Sequence, residues 1–256
     1  MSTVTIIIPY KKNLKYLFLT LKSISQQSYK KFKILIIYDD TDKSDLKIIK
    51  KTISTNKKFK NHLIKIIQNK DNFGPGKSRN IGIKNSNSKY IAFIDSDDTW
   101  HKDKLKKQIK FMEKNNLPIS HTSYFVVNSV EKKLSFRIAK NKIFKDDLIR
   151  SCDIGLSTVM LDTAFIKKNK LYFPTTIKTK EDYVLWLKII EKTNIIHGLD
   201  LKLTNYRKTK NSLSSNIFLN LINGYKVYRY FLYYSPIKSF YFLICLSINY
   251  LKKTYL

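Results

Sequence analysis

Three carboxylates in four positions, Asp95, Asp97 and Asp98, follow the apolar run 90–94 without a spacer. Negative charge packed this closely repels itself and is tolerated where a cation neutralises it. Carboxylate oxygens suit Mg²⁺ or Mn²⁺, ions that commonly bridge to phosphate oxygens. That chemistry points to a nucleotide-type ligand. The same residues also read as an acidic turn capping the helix that starts near Lys102. Two further acidic groups have comparable settings: Asp39, Asp40 and Asp42 after the apolar run 32–38, and Glu181 and Asp182 at the head of an apolar-rich stretch ending at Ile190. At a helix start the dipole favours carboxylates, so ordinary capping also accounts for the last pair.

Cations join them. Gly74 and Gly76 let the chain turn tightly before a helix whose first turn carries Lys77 and Arg79. The dipole disfavours cations there, so their presence asks for an anionic partner. Lys77 can equally point to solvent. The fork of Arg79 suits a diphosphate or a base edge. His62, His101, His121 and His197 show no paired spacing of the kind a zinc site uses.

The elements that position these groups alternate. Strands are expected at 3–8, stopped by Pro9, and at 32–38, 62–68 and 90–94. Helical spacing falls between them, at Leu14, Leu17, Phe18, Leu21 and Ile24, then at 44–54 and 77–85. Strands alternating with helices at this pace predict a parallel sheet with right-handed crossovers. Ligands in such sheets bind beyond the carboxyl ends of the strands, where both acidic clusters would lie. Beyond Trp100 the pattern predicts a helix over 102–115 ended by Pro118, strands over 120–130 and 133–138 joined at Glu131 and Lys132, and an apolar strand over 154–161.

The stretches Thr5-Ile-Ile-Ile-Pro9-Tyr10, Ile36-Ile-Tyr-Asp39-Asp40, Asn72-Phe-Gly74-Pro-Gly76-Lys-Ser-Arg79-Asn80-Ile-Gly82 and Phe93-Ile-Asp95-Ser-Asp97-Asp98-Thr-Trp100 together resemble the ordered motif set of the family 2 glycosyltransferases. The resemblance implies a GT-A fold, a Rossmann-like mixed sheet flanked by helices, and transfer of a sugar from a nucleotide donor with inversion. It implies donor binding by Pro9, Tyr10, Asp39, Asp40, Lys77, Arg79 and Asp95, and an Mn²⁺ or Mg²⁺ ion on Asp97 with help from Asp95. Asp182 falls where that family carries its catalytic base, with Glu181 beside it on the acceptor side. Ser157, Thr158 and Trp186 are the other acceptor-side candidates, although hydroxyls such as those of Ser157 and Thr158 more often satisfy local backbone groups. Arg207, in the polar segment 203–214, resembles the phosphate contact of a loop that folds over the donor, though the segment can equally be a flexible surface loop. The chain departs from the pattern in its shortened Asp39-Asp40-Thr-Asp42 turn and in Lys11, where an aromatic is usual.

The resemblance divides the chain into a glycosyltransferase domain over 1–215, with a nucleotide-sugar half (1–100) and an acceptor half (101–215), and a helical C-terminal extension over 216–256. The expected donor is a nucleoside-diphosphate sugar, UDP-linked, and the expected acceptor a saccharide or lipid-linked saccharide in cell-surface glycan synthesis. The two alternatives are a sugar nucleotidyltransferase, which would need a Gly-rich loop where Pro9-Tyr10-Lys11-Lys12 stands, and a non-enzymatic basic binder of membrane or nucleic acid.

Charge alone does not decide among these. Lys and Arg number 49 against 19 Asp and Glu, a net +30 over 256 residues, but the basic residues are nearly all dispersed Lys. No RNA-reading aromatic pattern or dense Arg cluster accompanies them, so nucleic acid is not the expected partner. Cys152 and Cys245 are far apart, and the first residues lack the basic and long apolar segments of a signal peptide. A cytoplasmic location is expected. The run 240–248 is short for a membrane span, and with Lys238, Lys252 and Lys253 around it predicts either an interfacial helix on an anionic inner membrane face or a helix packed on the domain or on a second subunit.

Overall fold

The computed structural model describes residues 2–60, 62–209 and 216–255. Its first third is β1 (Val4–Tyr10), α1 (Leu14–Ser25), β2 (Phe32–Tyr38), α2 (Ser44–Thr55), the single turn α3 (Lys57–Lys60), β3 (Leu63–Gln68), α4 (Pro75–Lys84) and β4 (Tyr90–Phe93). The strands pair in the order β3-β2-β1-β4, all parallel. Residues Asp39, Asn69 and Asp95 therefore lie beyond the carboxyl ends of neighbouring strands on one sheet edge.

The second part is β5 (Thr99–Trp100), α5 (Lys104–Lys114), β6 (Ile119–Val127), β7 (Lys133–Arg137), β8 (Lys142–Phe144), α6 (Lys145–Arg150), β9 (Met160–Asp162), α7 (Thr163–Lys168), α8 (Glu181–Thr193) and β10 (Ile195–Arg207). β9 runs antiparallel between β4 and β6, while β10 is parallel to β6 and carries β5 and β8 antiparallel. The result is the expected mixed sheet flanked by helices. It continues through both halves, which ties the edge carrying Asp95 to the segment carrying Ser157.

Strand periodicity sets the two cores. In β1, Ile7 faces a cluster with Leu35, Ile37, Phe93 and Trp186, while Val4, Ile6 and Ile8 face another with Leu17, Leu21 and Leu105. Both faces are covered, so these strands read as continuous apolar runs rather than alternating ones. Each buried Ile contributes about 1.5–3 kcal/mol relative to exposure. Gly82 fixes how closely α4 rides on β1, because a Cβ there would lie 2.5 Å from Ile7 Cγ2. That close seat aims the start of α4 at the edge where the carboxylates collect.

Two sequence expectations differ from the structure. Pro9 lies inside β1 instead of ending it: β4 pairs with β1 only as far as Ile7, so at Pro9 the strand has one neighbour and tolerates a missing N–H as an edge strand does. The stretch 154–161 is not one strand. Leu156–Thr158 form a 3₁₀ turn and only Met160–Asp162 pair, because the Thr158 hydroxyl donates to Gly155 O at 2.6 Å and closes the turn.

The C-terminal segment forms α9 (Ile217–Lys226), a π-turn (Val227–Phe231) and α10 (Pro236–Tyr255). Val227, Tyr228 and Leu246 belong to the same core as Trp186. The Tyr228 hydroxyl donates to Ile149 O at 2.7 Å. One side of this segment is therefore interior.

Candidate active site

Asp39, buried at the end of β2, organises the Gly-rich loop. Its Oδ1 accepts from Asn69 Nδ2 at 2.6 Å and Phe73 N at 2.8 Å, and its Oδ2 accepts from Gly74 N at 2.7 Å. Gly74 has φ +85°, a left-handed conformation that glycine takes without steric cost. Asp40 Oδ1 accepts from Asp42 N and closes the neighbouring turn. Tyr10 is fully buried, donates to Asp45 Oδ2 at 2.5 Å and leans on Tyr38. Burial, reinforced by Asp45, raises its pKa far above the phenol value. These residues lie together at the carboxyl ends of β1 and β2, with Pro9 beside them.

Lys77 is exposed, with Nζ 3.4 Å from the centre of the Phe73 ring. It stands at the start of α4, where no acidic residue shares the first turn. Arg79 is placed differently from the expectation of a phosphate contact. It is 4% exposed and its two terminal nitrogens donate to carboxylates, Nη1 to Glu181 Oε1 at 2.6 Å and Nη2 to Asp95 Oδ1 at 2.7 Å. Burial opposes its charge, but Asp95 and Glu181 outweigh that and keep it protonated. Gly76 makes room for this joint, since a Cβ there would sit 2.9 Å from Pro174 O and 3.2 Å from Glu181 Cγ.

The acidic turn after β4 is held from several sides. Asp95 N donates to Ser157 Oγ at 3.0 Å, and Trp100 Nε1 donates to Ser157 O at 2.8 Å. Thr20 of α1 donates to Asp98 O at 2.7 Å. Asp97 is partly buried, and desolvation, then the Asp95 charge, push its pKa up to about 6. Asp98 is buried; its Oδ1 accepts from Arg207 N at 2.7 Å, and its Oδ2 has no hydrogen-bond partner among the described residues. Desolvation, then Asp97 and Asp95, drive its pKa well up. No helix cap is formed by these residues, since α5 begins at Lys104 after Asp103.

Asp95 and Asp97 fit a divalent ion on this geometry: the Asp95 charge destabilises that of Asp97, and a buried carboxylate oxygen of Asp98 lies in the same turn. No group of three His, Cys, Asp or Glu side chains able to hold a metal occurs among the described residues. Mg²⁺ and Mn²⁺ match such a site, because they commonly complete their shell with waters and substrate phosphates.

Glu181 and Asp182 open α8, after Lys180 in a left-handed turn with φ 66°. Glu181 is buried, and desolvation, opposed by Arg79, lifts its pKa to about 7. Asp182 is raised as well, by desolvation opposed by Arg79 and Lys180, and it also senses Asp95. Among the described residues its side chain accepts only from its own neighbour's amide, Tyr183 N, to Oδ1 at 2.8 Å. A partly exposed carboxylate with raised pKa beside the acidic turn is a competent proton acceptor.

Four other sequence candidates lie elsewhere than predicted. Trp186 is fully buried against Phe173, so it is core and does not face an acceptor. Ser157 and Thr158 are buried with their hydroxyls engaged by Asp95 N and Gly155 O, so they support the acidic turn. The Arg207 side chain is fully enclosed: Nε donates to Asp97 O at 2.8 Å, Nη1 to Asn128 O at 3.0 Å and Nη2 to Glu131 Oε1 at 2.9 Å. It braces the Asp97 turn from below. The rest of its expected loop, 210–215, lies outside the described residues. Sequence reading missed Thr20 and Ser23, whose hydroxyls anchor Asp98 O and Trp100 N from α1. Two small polar residues one turn apart on an apolar helix are the available signal.

Residues 5–173 match the family described as Glycosyl transferase family 2. An uncharacterized glycosyltransferase of Rickettsia conorii is 37% identical over 210 residues, which are 80% of this chain and 33% of that protein. The chain thus spans about a third of the length of that relative. The Escherichia coli protein named UDP-Glc:alpha-D-GlcNAc-diphosphoundecaprenol beta-1,3-glucosyltransferase WfgD is 31% identical over 236 residues, 91% of this chain and 88% of that one. Among solved structures, Staphylococcus aureus TarS 1-349 in complex with UDP-GlcNAc superposes with a TM-score of 0.72 at 23% identity, covering 95% of this chain and 70% of that chain.

Proposed function

The chain belongs to glycosyl transferase family 2, and from that premise we propose that it transfers a sugar from a UDP-sugar to a lipid-linked saccharide in cell-surface glycan synthesis. The family assignment sets aside the sugar nucleotidyltransferase and the non-enzymatic basic binder. UDP is favoured as the carrier by the names of the Escherichia coli relative and of the Staphylococcus aureus complex, and the diphosphoundecaprenol acceptor by the first of these. An acceptor of that kind confines the reaction to the membrane surface, so the enzyme works from the cytoplasm at the inner face.

One observation carries the mechanism: Arg79 ties Asp95, in the acidic turn, to Glu181, at the head of the helix that bears Asp182. The donor end and the acceptor end of the crevice are thereby held at fixed separation. Asp182 accepts the proton of the acceptor hydroxyl as its oxygen attacks the anomeric carbon from the side opposite the diphosphate. The C–O bond to UDP breaks, its electron pair leaves with the diphosphate, and the configuration inverts. Asp97, with Asp95, would hold Mn²⁺ or Mg²⁺, which when bound supplies charge to the departing diphosphate. A Mn²⁺-bound mannosyltransferase of Pyrobaculum calidifontis has a related fold, with a TM-score of 0.67 at 10% identity. Lys77 supplies a further cation at the helix start. Asp39 keeps the Gly-rich loop shaped so that donor binding does not have to order it.

The test is thermal stabilisation by UDP, UDP-glucose and UDP-N-acetylglucosamine with and without Mn²⁺, followed by transfer to a diphosphoundecaprenol-linked saccharide. The proposal expects ion-dependent stabilisation and a product of one added sugar. Absence of stabilisation by every UDP compound in the presence of Mn²⁺ overturns the donor assignment.

A further inference from the structure

α10 has two apolar faces. One packs inward through Ser239, Phe242, Leu243 and Leu246. The other displays Ile237, Phe240, Tyr241, Ile244, Ile248 and Leu251, all exposed, at the i, i+3, i+4, i+7 spacing of a single helical stripe. α9 adds Ile217 and Phe218, 75% and 74% exposed, with Leu221 and Ile222 one turn on. The two helices touch where Gly224 admits Leu243, since a Cβ on Gly224 would stand 2.9 Å from Leu243 Cδ1. A patch of this kind marks an interaction surface.

Charge identifies what it meets. Residues 216–256 contain five Lys and Arg and no Asp or Glu. Two copies meeting face to face through this patch would oppose Lys238 with lysines of the same sign, which disfavours a second copy. Anionic headgroups complement it. Exposed tyrosines Tyr230, Tyr233 and Tyr250 add the amphipathic rings that prefer the headgroup level. No described helix is long and apolar enough to cross a membrane, which leaves the stripe lying in the interface.

We propose that the outward faces of α9 and α10 form a docking surface for an anionic lipid bilayer, with the stripe Ile237–Leu251 inserted at the headgroup boundary and the surrounding lysines on phosphate. The inference rests on the proposed membrane location of the reaction and adds the face that meets the membrane. It also places the mobile, lipid-linked acceptor and the enzyme on one surface, which raises their encounter rate without any contact to the reacting groups.

The experiment is sedimentation of the full chain with phosphatidylcholine vesicles, alone or mixed with phosphatidylglycerol. The chain should pellet with the mixed vesicles, remain in solution with phosphatidylcholine alone, and be released by high salt. The double variant Phe240→Ser/Ile244→Ser should lose at least about tenfold in vesicle affinity, since both side chains are exposed and leave the core intact. Lys238→Gln/Lys252→Gln, which removes two charges and the contact of Lys238 Nζ with the Tyr234 ring but none of the outward apolar side chains, should lose about tenfold. Unchanged vesicle binding by both variants, or wild-type chain that never pellets, overturns the docking surface. So does a dimer in sedimentation equilibrium that the serine variant dissociates while vesicle binding stays the same. Sugar transfer to a water-soluble acceptor, followed on the same proteins, separates the two readings: a chain that pellets but transfers nothing supports the surface and counts only against the proposed activity.

Discussion

Arg79 and Glu181, 102 residues apart in the chain, meet at 2.6 Å in a buried ion pair, and the same guanidinium reaches Asp95 at 2.7 Å. One planar fork thus joins the turn that follows β4 to the first turn of α8. Without it, two carboxylates would face each other across a poorly solvated gap. Lys cannot substitute, because a single ammonium does not span two acceptors with fixed angles.

Arg79→Gln should therefore cost about 3–5 kcal/mol, the range for breaking a buried ion pair from one side. Asp95 is partly solvated, so most of the loss comes from Glu181. Arg79→Lys should recover part of the stability but little of the turnover. Urea unfolding and kcat on the two variants check this. Equal kcat in Arg79→Lys and the native enzyme would show that the bridge is not needed for alignment.

Stability should also respond to pH and metal together. Asp97, at about 6, and Glu181, at about 7, both hold their protons more tightly folded than an ordinary carboxylate does. Their contribution is fully present below the ordinary carboxylate range and is lost as pH rises through those values. Mn²⁺ favours ionised Asp97 and offsets that part of the loss. With a chelator, Tm should fall between about pH 4 and 7, and with Mn²⁺ the fall should be shallower. Asp97→Asn should make the two curves coincide. Coincident curves in the native protein would remove Asp97 as a metal ligand.

Trp186 is a test of interior against acceptor site. Trp186→Phe removes an indole N–H that has no partner, so acceptor KM should not change and stability should shift little. Trp186→Ala should cost about 3–5 kcal/mol through the cavity it leaves. A rise in acceptor KM for Trp186→Phe, at unchanged stability, would return this residue to the acceptor site.

These variants mark where sequence reading ends. The four parallel strands were legible because each is an apolar run followed by Pro9, Asp39, Asn69 or Asp95, and the carboxylates were legible because they terminate two of those runs. What a run meets in space was not. Trp186 looked like a pocket residue because helical periodicity cannot separate a core face from a lined cavity. Arg207 looked free because three of its acceptors are main-chain oxygens of Asp97, Asn128 and Ser129, which every residue owns, and its carboxylate partner Glu131 lies 76 residues away. Gly155 with two hydroxylated neighbours bent a run that composition alone reads as straight. The pairing of Arg79 with Glu181 has no local signature at all.

The central claim is that Asp182 takes the proton from the acceptor, and Asp182→Asn tests it most directly. The side chain is nearly isosteric, accepts from the adjacent amide of Tyr183, and is not the residue preceding α8, which is Lys180. Folding should survive, since a lost first-turn charge costs about 0.3–1 kcal/mol. The account predicts that kcat for a UDP-sugar and its acceptor falls by about 10²–10⁴ while UDP-sugar affinity with Mn²⁺ is retained. Near-native turnover in Asp182→Asn would contradict it.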